Sequence, residues 1–185
     1  MQYIIVGIGG QGILFTSKVL GKIAIDKGLG VIGSEVHGMA QRGGSVISHF
    51  KVGNFKGPLV NPGHADVVMA FDQSEGIRNL SFLKEGGTFV VNTHEPGVLE
   101  NTRLKKYMAD KKFTTCAFNG IDILNTHMEG KLLFLNVLIT GAASGMKIEG
   151  FEEDNVISAL KELSPPRHVE ANLKVFGLGM RAVVK

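Results

Sequence analysis

The chain has 185 residues, a formal net charge of +3, 44% hydrophobic and 20% charged residues, and a single cysteine, Cys116. That balance suits one globular domain over residues 1–185 with a sizeable core, and a charge so small gives no argument for nucleic-acid binding. One cysteine excludes an internal disulfide and an iron–sulfur cluster held by four cysteines of this chain.

The N-terminal MQYIIVGIGG lacks the basic flank and small-residue cleavage site of a signal peptide, so a cytoplasmic setting is expected. No apolar run reaches the ~18 residues of a membrane span. Residues 2–8 are apolar and of strand length, and Gly9–Gly12 punctuate them. Ile13–Lys27 then spaces Ile13, Leu20 and Ile23 on one side and Lys18, Lys22 and Asp26 on the other, an amphipathic helix closed by Gly28. Leu29–Val36 reads as a second strand and Ser45–Val52 as an alternating third, half covered or near a sheet edge. Gly53–Gly63 is loop. DVVMAF (66–71), TFVVN (88–92) and TTCAF (114–118) read as further strands, with helices around 74–84 and 99–112. Lys105, Lys106, Lys111 and Lys112 then form a solvated helix face. From Lys131 onward the spacing is helical, and Pro165 and Pro166 divide the last two helices. The expected fold is α/β: a three-layer, mostly parallel, Rossmann-like sheet with helices on both faces and a helical C-terminal part.

Two loops carry the chemistry. Gly7-Ile8-Gly9-Gly10-Gln11-Gly12 satisfies G-x-G-x-x-G between a strand and a helix. There glycines let the backbone approach a phosphate, and the helix start supplies free N–H groups. Glu35, 23 positions beyond Gly12, lies near the ~20 expected of a ribose-binding carboxylate. A stand-alone NAD- or FAD-dependent oxidoreductase is therefore one reading, and a tight crossover that needs glycines for geometry alone is another. The second loop lies within EVHGMAQRGGSVISHF (35–50). Arg42 offers a planar fork for phosphate or carboxylate, and His37 an imidazole suited to acid or base work.

The pair of motifs GIGGQGILFTSKVLG and SEVHGMAQRGGSVISHFKVG resembles the gamma-type domain of the 2-oxoacid:ferredoxin oxidoreductases. The likeness continues through DVVMAFDQSEG, GGTFVVNT and EANLKVFGLG, and it favours the small subunits of the indolepyruvate branch. It implies a subunit of a complex that oxidatively decarboxylates a 2-oxoacid to acyl-coenzyme A, CO2 and reduced ferredoxin. In such a complex a large alpha subunit carries thiamine diphosphate and iron–sulfur clusters. This chain would complete the site, hold no cofactor of its own, be inactive alone and be able to self-associate when isolated. The implied catalytic residues are His37 and Arg42. The implied cofactor-binding residues are Gly9, Gly10, Gln11, Gly12, Glu35, Gln41, Gly43 and Gly44, and no metal ligands are expected. A non-catalytic ligand-binding domain is the remaining alternative.

Asp72, Asn92, Thr93, His94 and Asn119 follow apolar strands, where both ligand contact and turn chemistry draw such residues. In LLFLNVLITGAASG (132–145), Gly141 and Gly145 allow another backbone to approach, either in the core or at a subunit interface. Asn136 needs a hydrogen-bond partner if that run is buried.

Overall fold

The computed structural model describes residues 1–38, 43–95 and 97–183. Six strands form one sheet: β1 (Gln2–Ile8), β2 (Val31–His37), β3 (Ser45–Val52), β4 (Ala65–Ala70), β5 (Leu83–Asn92) and β6 (Thr114–Phe118). Their spatial order is β2-β3-β1-β4-β5-β6. The pairs from β1 to β6 are parallel, whereas β3 runs antiparallel to both β1 and β2. The sheet is thus mixed, with three parallel pairs out of five. Alternation sorts the strands' side chains. Tyr3, Ile5, Val67, Met69 and Val90 face one layer, and Ile4, Val6, Val68, Phe89 and Val91 face the other.

The first layer holds α1 (Ile13–Asp26), α4 (Gly120–Met128), α5 (Leu135–Gly145), α6 (Glu153–Leu163) and α7 (Val169–Ala182). The thinner second layer holds α2 (Gln73–Arg78), a 3-10 turn at Leu80–Phe82 and α3 (Thr102–Asp110). Most element boundaries match the sequence pattern, and three differ for local reasons. The helix expected around 74–84 ends at Arg78, because the Asn79 side chain donates to the Glu75 carbonyl and closes the turn. β5 accordingly starts at Leu83 instead of Thr88. The sequence pattern left α4 unassigned; Asn119 initiates it by accepting the Asp122 N–H. Among the described residues no helix is long and apolar enough to cross a membrane.

The apolar run at 132–145 is a core helix. α5 is buried along nearly its whole length and crosses α7 at backbone contact. A Cβ on Gly141 would lie 2.2 Å from the Phe176 carbonyl oxygen, and one on Gly179 would lie 2.1 Å from that of Leu138. The close approach anticipated from the glycine spacing therefore occurs within this chain. On the opposite layer, His49 is 6% exposed. Its Nδ1 accepts the Val60 N–H at 3.1 Å, and its ring meets Phe82 edge-on. Burial, then the charge of Lys51, lowers its pKa from 6.5, because a desolvated imidazolium is disfavoured.

Two outcomes are expected. Gly179→Ala forces the α5–α7 pair apart and lowers stability by about 3 kcal/mol in urea denaturation, the upper end of ordinary overpacking. His49, neutral when folded, contributes stability that is fully present above pH 6.5 and is lost as pH falls toward its lowered folded pKa. A His49→Gln variant should lose that component of the acid dependence in thermal melts across the same window.

Candidate functional site

The glycine loop is a backbone structure closed by one side chain. Gln11 folds back so that its Oε1 accepts the Ile8 N–H at 2.7 Å, while its own N–H donates to the Ile8 carbonyl. The expected polar role of Gln11 is therefore spent partly inside the loop. Gly12 has φ +84° and abuts Asn136, whose amide nitrogen would lie 2.5 Å from any Cβ placed there. Both facts demand glycine at this position. Asn136 in turn uses its Oδ1 to accept the Val137 N–H.

α1 begins directly after Gly12 with no side-chain cap and no acidic residue in its first turn. Its first N–H groups and the positive end of its dipole are left for something else. A cleft of about 560 Å³ opens there, lined by Gly9, Gly10, Gly12, Ile13, Leu14, His37 and Val46. Nothing lies within 4 Å of a Cβ position at Gly10, so the backbone is open to a ligand. The cradle suits an anion held by N–H groups.

The second loop meets the first because β3 pairs with β1. Gly9 donates its N–H to the Gly44 carbonyl at 2.9 Å, and Gly38 donates to the Ser45 carbonyl at 2.7 Å. His37, exposed at the end of β2, thus reaches the cleft. Gly9, Gly10, Gly12 and His37 line that cleft, and Gly43 and Gly44 lie beside Gly9. Gln41 and Arg42 lie outside the described residues.

Glu35 stands elsewhere. It pairs with Ser48 of β3, which pairs with Ile5 of β1. Two strand spacings, about 10 Å, therefore separate it from β1. It lines a neighbouring groove between α1 and β2 and not the loop cleft. A ribose-binding carboxylate belongs on the strand next to β1, and here β3 occupies that place, which weighs against the dinucleotide reading.

One polar group at the site has no counterpart in the motif reading. Ser45 Oγ donates to Glu75 Oε2 at 2.6 Å, and Arg78 donates to Glu75 Oε1 at 2.6 Å. Glu75 is buried in the first turn of α2, where the helix dipole favours its carboxylate. It anchors the start of β3, hence the far end of the second loop. The D-Q-S-E-G segment held this residue in plain view, but its reach across to Ser45 is a tertiary fact.

The side chains of Asp72, Asn92 and Asn119 are committed to structure. Asp72 accepts the Ser74 and Glu75 N–H groups, Asn119 starts α4, and buried Asn92 links the Phe71 carbonyl to the Gly120 N–H. The backbone N–H groups of His94 and Glu95 are held by Gln73. Burial pushes the Cys116 thiol up to about 11, so it stays protonated at neutral pH and is a poor nucleophile. Among the described residues no group of three or more His, Cys, Asp or Glu side chains is placed to hold a metal ion.

Large apolar side chains flank the cleft. Leu14 is exposed at its margin, and Leu132 and Leu133 are exposed just before α5, whose Asn136 packs on Gly12. Leu133 shares a further small cleft with Phe15 and Asn136. Exposed apolar residues rimming a polar backbone cradle mark a surface that another macromolecule covers.

Residues 2–182 match the family model described as pyruvate ferredoxin/flavodoxin oxidoreductase. The chain is 32% identical to the indolepyruvate oxidoreductase subunit IorB of Methanothermobacter thermautotrophicus, over 97% of this chain and 95% of that protein. It is 34% identical to the corresponding IorB of Thermococcus kodakarensis, over 97% of this chain and 94% of that protein. Among solved structures, it superposes on a keto/oxoacid ferredoxin oxidoreductase gamma subunit from Geobacter sulfurreducens with a TM-score of 0.73. That likeness holds at 23% identity, covers 99% and 98% of the two chains, and bears on the fold. A cleft built by two glycine loops on a mixed six-stranded sheet, together with a family match over nearly every residue, makes this chain a member of the pyruvate ferredoxin/flavodoxin oxidoreductase family.

Proposed function

We propose that this chain is the small subunit of a 2-oxoacid:ferredoxin oxidoreductase of the indolepyruvate type. The observation that carries the proposal is its near full-length similarity to IorB subunits. The overall reaction converts a 2-oxoacid and coenzyme A to an acyl-coenzyme A and CO2, with the electrons passed to ferredoxin. Thiamine diphosphate, on the large partner subunit, supplies the electron sink for decarboxylation. The partner also holds the iron–sulfur clusters, a division consistent with the single cysteine here.

This chain's own contribution is the loop cleft. The backbone N–H groups at Gly10, Gly12 and the start of α1 bind an anion, and a phosphate of coenzyme A is the group of the reaction that fits them. Arg42, in the sequence between Gly38 and Gly43, is the cation that would pair with such an anion. His37 borders the cleft and offers its imidazole as a hydrogen-bonding group to the bound substrate. Leu132 and Leu133, exposed just before α5, dock against the large subunit, so water is excluded only in the assembled complex.

Three outcomes test this. Co-expressed with the large subunit, the chain should yield an iron- and thiamine-containing complex with 2-oxoacid- and coenzyme A-dependent ferredoxin reduction; isolation of the chain alone with a bound dinucleotide would overturn the proposal. In that complex Arg42→Ala should raise the KM for coenzyme A at least about tenfold, the scale of one lost charge-assisted hydrogen bond, with assembly intact. Glu75→Ala should speed amide hydrogen exchange at Gly9 and Gly38, whose acceptors are the Gly44 and Ser45 carbonyls, and Glu75→Gln should restore slow exchange by keeping an acceptor for Ser45 Oγ.

A further inference from the structure

β2 is the edge of the sheet, and none of its seven residues is buried. Beside it, on the α1 layer, lies a groove of about 740 Å³. The Phe50 ring forms its floor. Gly21 of α1 and Gly33 of β2 leave room for that ring, since a Cβ on either would come within 3.3 and 3.1 Å of it. α1 overlooks the groove with Leu14, Lys18 and Ile25, three residues that share one stripe at helical spacing. Leu14 is 41% and Ile25 60% exposed. Val31 and Glu35 stand on the opposite margin.

The charges on the two margins are opposite. Lys22 is held by Asp26 and Glu162. Among the described residues, neither Lys18 nor Glu35 takes part in an ion pair. An occupant must therefore bring an apolar ridge carrying a cation to Glu35 and an anion to Lys18. This chain presents such a ridge on α1 and such a groove along β2, side by side on one face. A patch that complements itself closes about a two-fold axis, with each contact made twice.

We infer that the α1–β2 face is a self-association surface whose occupant is a second copy of this chain. The Leu14–Lys18–Ile25 ridge of each copy seats in the groove of the other, and Lys18 of each copy faces Glu35 of the other. The contact lies along α1 and β2 and needs no cofactor or substrate, so it stands or falls separately from the proposed reaction.

The test is sedimentation equilibrium of the full chain over a wide concentration range, for the wild type, Lys18→Glu, Glu35→Lys and the double exchange. The wild type should dimerise. Each single change opposes like charges twice per dimer and should raise the dissociation constant at least about tenfold, and the double exchange should restore it. A wild type that stays monomeric throughout would overturn the inference. So would a dimer that neither single change weakens, or a double variant no tighter than the singles.

Discussion

One backbone hydrogen bond, from the Gly9 N–H to the Gly44 carbonyl, brings the two loops of this protein into one site. It exists because β3 runs antiparallel beside β1, in the position a parallel second strand would hold in a dinucleotide fold. With β3 there, the start of that strand lies against the end of β1, and Gly43 and Gly44 just before it are delivered to the glycine loop. The same insertion moves β2 to the sheet edge. His37, at the end of β2, still reaches the cleft, while Glu35 is left over a separate groove.

The described walls of the cleft are buttressed from behind. Gln11 closes the glycine loop onto Ile8, Asn136 fills the space a side chain on Gly12 would need, and Glu75 holds Ser45 from the α2 side. Asn136 can do this because α5 is fixed, and α5 is fixed by its glycine-mediated crossing with α7. A contact between two C-terminal helices thus sets the shape of an N-terminal backbone cradle, through core packing that tolerates few alternatives.

Among the described residues, the loop cleft is lined by backbone glycines, apolar side chains and the His37 imidazole. The only cysteine is a protonated, half-buried thiol, and the strand-end carboxamides and carboxylates are occupied as caps and cross-links. Such a site suits a chain that presents and orients a group for chemistry carried by another subunit. Leu14 at the cleft and Leu132 and Leu133 before α5 are exposed large apolar side chains, the kind of surface that association buries.

Much of this was legible in the sequence because its determinants are local. Alternation along 45–52, helical spacing along 13–27 and the glycine punctuation at 9–12 each depend on neighbours within one or two turns. The small-residue spacing at Gly141 and Gly145 likewise announced a close backbone approach, though not that its partner is α7 of the same chain. Strand order and strand direction are set by long-range pairing, which residue spacing does not encode. So the antiparallel β3, the separation of Glu35 from the glycine loop and the reach of Glu75 to Ser45 came only with the tertiary structure. The sequence by itself determined which segments become strands, helices and glycine loops; the packing of the sheet decided which of those loops share a site, because that depends on contacts between residues far apart in the chain.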